Sequence, residues 1–264
     1  IPTIARGGPR GLRRIMTVPA RRADEGRGDR RPAFGAYVMV DWSGASTPRT
    51  GKDSIWYAAA VRRPGGLARI ALANPPTRAR AEAELFELLE TLSRTERVLV
   101  GFDFPFGYGR GTAAALGLSG RPWRATWEAL ALAIRDGPDN VNNRFDVAED
   151  WNRRIAGEAF PFWGNTRDEI RPYLTRRRFR HHGPGEIPER RFCELRVRRT
   201  QPVWKLAYVG SVGSQVLLGL PRVWALRQAL GDGSAIWPFE TGLADAPEAA
   251  VVFAEIYPSL VPPA

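Results

Sequence analysis

The chain has 264 residues, a net charge of +11 and a hydrophobic share of 44%, enough for one large domain or two small ones with an ordinary core. Its single cysteine, Cys193, excludes an internal disulfide and any zinc site built on several thiolates, which fits a reducing, cytoplasmic compartment. No apolar run reaches roughly 18 residues and no apolar h-region stands near the start, so neither a membrane span nor a signal peptide is predicted.

The positive charge sits in two blocks. Residues 1–31 hold nine arginines against three acids, and residues 167–199 hold eleven against five. Blocks of this kind suit a phosphate backbone, although only Lys52 and Lys205 are lysines, so an arginine-rich proteome accounts for the bias equally well. Position 1 is Ile, Met16 could open a natural chain, and Val-Pro-Pro-Ala ends the sequence directly after an apolar run. These features predict a trimmed chain.

Residues 1–33 are rich in Arg, Gly and Pro and poor in apolar residues, so a disordered basic segment is predicted. The rest, 34–264, reads as one domain. A first strand is predicted at about 36–42, where Y-V-M-V runs into Asp41 and then turns at Trp42-Ser43-Gly44. Further strands are expected at Ser54–Val61 and Leu67–Leu72, around a Pro64-Gly65-Gly66 turn. Together they form an antiparallel meander. Thr77 reads as the N-cap of a helix from Ala79 to Leu92, with Leu85, Leu88, Leu89 and Leu92 on one face. A buried strand at Arg97–Phe104 contains a second acid, Asp103. Helices follow at Trp123–Ile134 and Arg144–Ile155. Residues 157–201 show no clean period and read as an insertion or a lid. Gly210-Ser211-Val212-Gly213-Ser214 opens a helix to about Leu230, interrupted at Pro221. Ala235–Phe239 is a short strand candidate ending at Glu240, and Ala249–Ile256 is a core strand carrying Glu255.

Acids at the ends of core strands carry the chemistry. An Asp is costly to bury without a partner, and one such residue alone is as readily explained by a turn it caps. Three of them in succession are less so. If the first and fourth strands are neighbours, Asp41 and Asp103 lie side by side. Paired carboxylates repel unless a proton or cation neutralises them. Mg²⁺ or Mn²⁺ takes oxygen ligands and suits such a pair, and supports phosphoryl chemistry without His, Cys or Lys.

V-D-W-S-G at 40–44, G-F-D-F-P-F-G at 101–107 and A-E-I-Y-P at 254–258 resemble the DUF429 family, described as predicted nucleases of ribonuclease H-like fold. Its pattern is an Asp on the first strand, a D-x-P on the fourth and a later E-x-x-P. W-K-L-A-Y-V-G-S-V-G-S-Q at 204–215 and D-G-P-D-N-V-N-N-R-F at 136–145 look like a bacterial branch of it. The resemblance covers roughly 37–260. It implies an α/β fold with a mixed sheet in the order 3-2-1-4-5, flanked by helices, the meander antiparallel and the later strands parallel. It implies hydrolysis of phosphodiester bonds with Asp41, Asp103 and Glu255 as catalytic residues and ligands of Mg²⁺ or Mn²⁺. Ribonuclease H-like enzymes usually place a last acid on a C-terminal helix, and this chain ends before one; if that acid is required, poor metal binding or an inactive chain is expected.

Ser43, Lys205, Ser211 and Ser214 are candidate contacts to a nucleic acid or another phosphate-bearing substrate. Ser211 and Ser214 open a helix whose N–H groups could meet a phosphate, and a plain Ser-capped turn explains them as well. Lys205 is equally a residue with its head in water. Asp139-Asn140-Val141-Asn142-Asn143-Arg144 either lines the cleft or caps the next helix, with capping favoured. His181 and His182 read as surface residues, and Glu240 as a possible fourth acid. Trp42 and Phe106 flank the proposed acids; packing is favoured over stacking on a base. Two alternatives stay open. Asp41, Gly44 and Ser46 also suit the first phosphate loop of an actin-like or sugar-kinase-like phosphotransferase. The basic blocks also suit a non-catalytic nucleic-acid-binding module.

Overall fold

Ala36, Val38 and Val40 alternate with Tyr37 and Met39, and a strand sends successive side chains to opposite faces. In the computed structural model, which describes residues 33–197, 200–244 and 247–260, these residues form β1 (Ala36–Asp41), with the first set buried and the second half-buried. β2 (Trp56–Arg63) and β3 (Gly66–Ala73) complete the expected antiparallel meander. Gly65 and Gly66 make its turn at φ of 93° and 134°, angles that only glycine takes readily.

The Thr77 side chain accepts the Arg80 N–H and starts α1 (Arg78–Leu92), which buries Ala81, Leu85, Leu89 and Leu92. β4 (Val98–Phe102) returns parallel to β1. Then come the short α2 (Thr112–Ala115), α3 (Pro122–Ala133) and α4 (Arg144–Ala156). α5 (Gly213–Leu230) is continuous, not broken at Pro221. Leu217, Leu218, Leu220 and Val223 are buried around the proline, so packing carries the helix through a residue that lacks its N–H. β5 (Ser234–Ile236) and β6 (Val251–Glu255) end the sheet.

The six-stranded mixed sheet has the order β3-β2-β1-β4-β6-β5. The expected order 3-2-1-4-5 holds for the first four strands and then fails, because β6 inserts parallel to β4 and leaves β5 outside it. Val251 to Ala254 are all buried, as suits an interior parallel strand. The three-residue β5 takes the edge.

Residues 157–201 are not a lid laid over the fold. They hold no helix or strand among the described residues, yet Phe160, Phe162, Leu174 and Ile187 are buried in or against the core. Asn152 anchors the segment, accepting the Phe162 N–H at 2.7 Å and donating to the Phe162 and Tyr173 carbonyls. Among the described residues six of its arginines, Arg167, Arg171, Arg176, Arg178, Arg180 and Arg191, pair with acids. The segment therefore offers less free charge than its composition suggests.

The described residues from Ala33 onward form one compact unit. The predicted disordered segment lies, apart from its last residue, outside the described residues. Among the described residues no helix is long and apolar enough to cross a membrane.

Candidate functional site

The sheet register sets the acids. β1 and β4 pair in parallel up to Val40 and Phe102. The next step of the ladder, with the Asp103 N–H on the Val40 carbonyl at 3.2 Å, brings Asp41 beside Asp103. Their carboxyls lie within hydrogen-bonding reach. One oxygen of Asp103 also accepts the Trp42 N–H at 2.9 Å. These two predicted catalytic residues are thus brought together by sheet geometry from 62 positions apart in the chain (103 − 41).

Burial pushes the Asp103 carboxyl up to about 7, the charge of Asp41 and the hydrogen bond to it push the same way, and the Trp42 N–H opposes them. Asp41 keeps part of its surface in solvent. Burial of the rest raises its pKa, the hydrogen bond from Asp103 lowers it, and the charge of Asp53 raises it again. Below about pH 7 Asp103 is thus the member of the pair that keeps the proton and faces Asp41 as a donor.

Glu255 does not join them. In the register Val40, Phe102 and Glu255 form one row, and Asp41, Asp103 and Ile256 belong to the next. Successive residues of a strand face opposite sides, so Glu255 sits one residue out of phase with the two aspartates. Arg191 grips it through two bonds of 2.7 and 2.5 Å, and the Phe106 N–H adds a third at 2.9 Å. Asp103 and Glu255 do line one small pocket of about 110 Å³ with Arg191. Among the described residues no three His, Cys, Asp or Glu side chains gather into a metal cage.

Beside Asp41 opens a cleft of about 580 Å³ lined by Ser43, Arg49, Asp53, Arg144, Ser211 and Ser214, among others. Three of the four predicted substrate contacts are therefore in one place. Ser43 Oγ accepts the Ala45 N–H and donates to the Asp53 carbonyl. Ser214 Oγ donates to the Leu206 carbonyl at 2.6 Å and accepts from Arg144 Nε at 2.9 Å. Lys205 is the exception. Its Nζ donates to the Val209 carbonyl at 2.6 Å and lies 5.7 Å from the centre of the Trp163 ring, and Lys205 is not among the residues that line the cleft. Its short-range backbone partner satisfies the ammonium locally.

α5 is held tight against the Trp42–Gly44 turn. A Cβ on Gly44 would lie 2.8 Å from Ser214 Cβ, and Gln215 Nε2 donates to the Trp42 carbonyl at 2.6 Å. Arg78, fully buried, ties the same turn from behind. It donates to the Ser43 and Ala45 carbonyls and pairs with Asp136 at 2.6 Å.

Several expectations are corrected. The run before α4 does both things expected of it in part: Asn142 Oδ1 accepts the Arg144 N–H at 3.3 Å and Arg144 lines the cleft, while Asn143 makes no side-chain cap and holds the Arg135 N–H and the Ala133 carbonyl instead. Glu240 is not a fourth acid of the site, because Arg227 and the Ile236 N–H occupy it. Trp42 and Phe106 pack as expected: both are buried on Phe102 and Phe104. His181 is exposed, but His182 is half-buried against Phe160 and Trp204. Asp53, Arg144 and Arg191 were missed. Arg191 is one of eleven arginines in its segment, and nothing local marks it. Arg144 had a signal in the asparagine-rich run before it.

Two carboxylates that share a proton are a donor set that a hard divalent cation fits, since Mg²⁺ is commonly held by one or two carboxylates, several waters and substrate oxygens. Comparison with models of known protein families, with curated proteins and with solved structures finds no match.

Proposed function

We propose that this protein is a metal-dependent phosphodiester hydrolase, acting on a nucleic acid or a related phosphate-bearing substrate, with Mg²⁺ or Mn²⁺ held by Asp41 and Asp103. The juxtaposed pair Asp41–Asp103, which shares a hollow of about 260 Å³ and of which Asp41 also lines the larger cleft, carries the reading. The parallel β1–β4 pair behind an antiparallel meander is in keeping with a ribonuclease H-like domain, as are the D-x-P and E-x-x-P motifs that resemble DUF429.

A divalent ion at this pair would polarise a phosphoryl oxygen and lower the pKa of a bound water. The chain's own residues do the rest. Asp41 and Asp103 give up their shared proton and supply oxygen ligands. The Trp42 N–H fixes the Asp103 rotamer. The α5 N-terminus and Arg144 shape the side of the cleft where substrate enters. Glu255 remains a candidate third acid only in a state in which Arg191 lets it go.

Titration calorimetry with Mn²⁺ on wild type and Asp41→Asn tests the proposal. Saturable binding that the substitution abolishes is expected. A folded wild type that takes up no metal would remove the basis for hydrolysis and direct attention to nucleotide or metal-independent nucleic-acid binding.

A further inference from the structure

Arg144 is a buried cation that, among the described residues, bonds to no carboxylate; Asp136 acts on it only from a distance. It is 8% exposed, and its partners are all neutral: Ser214 Oγ at 2.9 Å from Nε, and Ser46 Oγ and Asn142 Oδ1, each at 2.8 Å from Nη1. Among the described residues Arg97 also lacks an acid, with buried Nε and Nη2 unbonded, but it lies over the Phe34 ring and away from the cleft; three other deeply placed arginines are paired. Arg78 pairs with Asp136, Arg191 with Glu194 and Glu255, and Arg222 with Glu82 and Asp136. Charged side chains are almost never buried unpaired, and leaving a guanidinium so is unfavourable. Burial, with Arg78 and Arg167 nearby, lowers its pKa to about 10.

Arg144 also faces the cleft that contains Asp41. Among the described residues its Nη2 makes no hydrogen bond, while Nε and Nη1 are fixed by the serines and Asn142. One arm of the fork is left free. The same cleft receives the start of α5, an 18-residue helix with no side-chain cap. Among the described residues the Ser214 and Gln215 N–H groups have no protein acceptor. Uncapped N–H groups at a helix start favour an anion. Ser211, at the same wall, adds a hydroxyl.

We infer that Arg144, Ser211 and the N-terminus of α5 form a binding site for one phosphate group of the substrate, next to the Asp41–Asp103 pair. The choice of phosphate over carboxylate rests on the hydrolase reading above; the anion site itself rests on Arg144. A phosphate offers oxygens enough to meet the free guanidinium arm, the hydroxyl and the helix N–H groups together. Ser46, Asn142 and Ser214 are positioning residues that aim Arg144.

The test is calorimetric titration with inorganic phosphate in the presence of a chelator, so that no divalent ion takes part. Wild type is expected to bind saturably, and added salt to weaken the binding. Arg144→Gln should weaken it by about tenfold or more, a charge-assisted contact being lost. Arg144→Lys keeps the charge without the fork and should fall between the two; it also serves if Arg144→Gln does not fold, which thermal melting reports. Asp41→Asn should bind phosphate at least as well as wild type, because a negative charge leaves the cleft. Unaltered phosphate binding by folded Arg144→Gln would overturn the inference. So would a folded wild type that binds no phosphate, or one that binds acetate as tightly. Metal uptake plays no part here, so failure of this site and failure of the metal site are read separately.

Discussion

Arg191 closes on Glu255 with both arms of its guanidinium, Nη1 to Oε2 at 2.7 Å and Nη2 to Oε1 at 2.5 Å. It simultaneously holds the buried Glu194 at 2.8 Å. One residue of an irregular segment thus decides whether the acid of β6 is available. Arg191→Gln should lower stability by about 2–3 kcal/mol, the value of losing charge-assisted hydrogen bonds to groups left behind. It should also tighten Mn²⁺ binding, because a cation leaves the neighbourhood and a carboxylate is released. Urea denaturation and calorimetry measure the two effects. Weaker metal binding in a folded variant would count against a site extending to Glu255.

The raised pKa of Asp103 gives stability a defined pH dependence. The folded protein keeps a proton that the unfolded chain releases near 3.8. The contribution is present in full below about 3.8 and is lost as pH rises through about 7. In a chelator, this group alone makes the melting temperature fall across that window. Asp103→Asn should flatten that component. Metal must displace the same proton, so Mn²⁺ affinity should rise with pH up to about 7 and then level. Affinity independent of pH in calorimetry at pH 5.5, 6.5 and 7.5 would argue against the aspartate pair as ligands.

Arg78 and Asp136 form a buried pair, 0% and 5% exposed at their side chains. Arg78 also bonds the carbonyls of Ser43, Ala45 and Asn140. Arg78→Ala should destabilise by about 3–5 kcal/mol, the range for breaking a buried ion pair. Arg222 still contacts Asp136, which favours the lower end. Denaturant melts check the size. Loss of less than about 1 kcal/mol would place this pair among surface bridges.

Gly219 offers a packing test away from the cleft. A Cβ there would come within 2.4 Å of the Phe104 ring, and Phe104 is fully buried. Gly219→Ala should cost about 1–3 kcal/mol through overpacking. Phe104 adjoins Asp103, so metal affinity should weaken as well. An alanine variant as stable as wild type would show that the ring has room to move.

The apolar runs and their turn residues were enough to locate every strand and the four longer helices within a few residues. Periodicity and capping are local signals, and Thr77 and Gly65-Gly66 state theirs plainly. The placement of β6 between β4 and β5 was not legible, because pairing order depends on which strand gains more by burial on both faces. The site divided the same way. Asp41 ends β1 and Asp103 comes directly after β4, both one step past the Val40–Phe102 pair, so adjacency of β1 and β4 was sufficient to join them. Glu255 is also near a strand end, but strand parity separates it from the pair, and the register was not available from the motif. Lys205 stood in a suggestive motif, yet its side chain is claimed by a carbonyl four residues on. Arg144 needed a cleft and a count of opposite charges before it could be distinguished from its many neighbours.

The parallel ladder between β1 and β4 indexes the aspartate pair as a rack and pinion indexes a shaft. One residue inserted within Val98–Phe102 would turn Asp103 to the other side of the sheet. Designers who wish to vary this protein have no latitude in the length of those two strands.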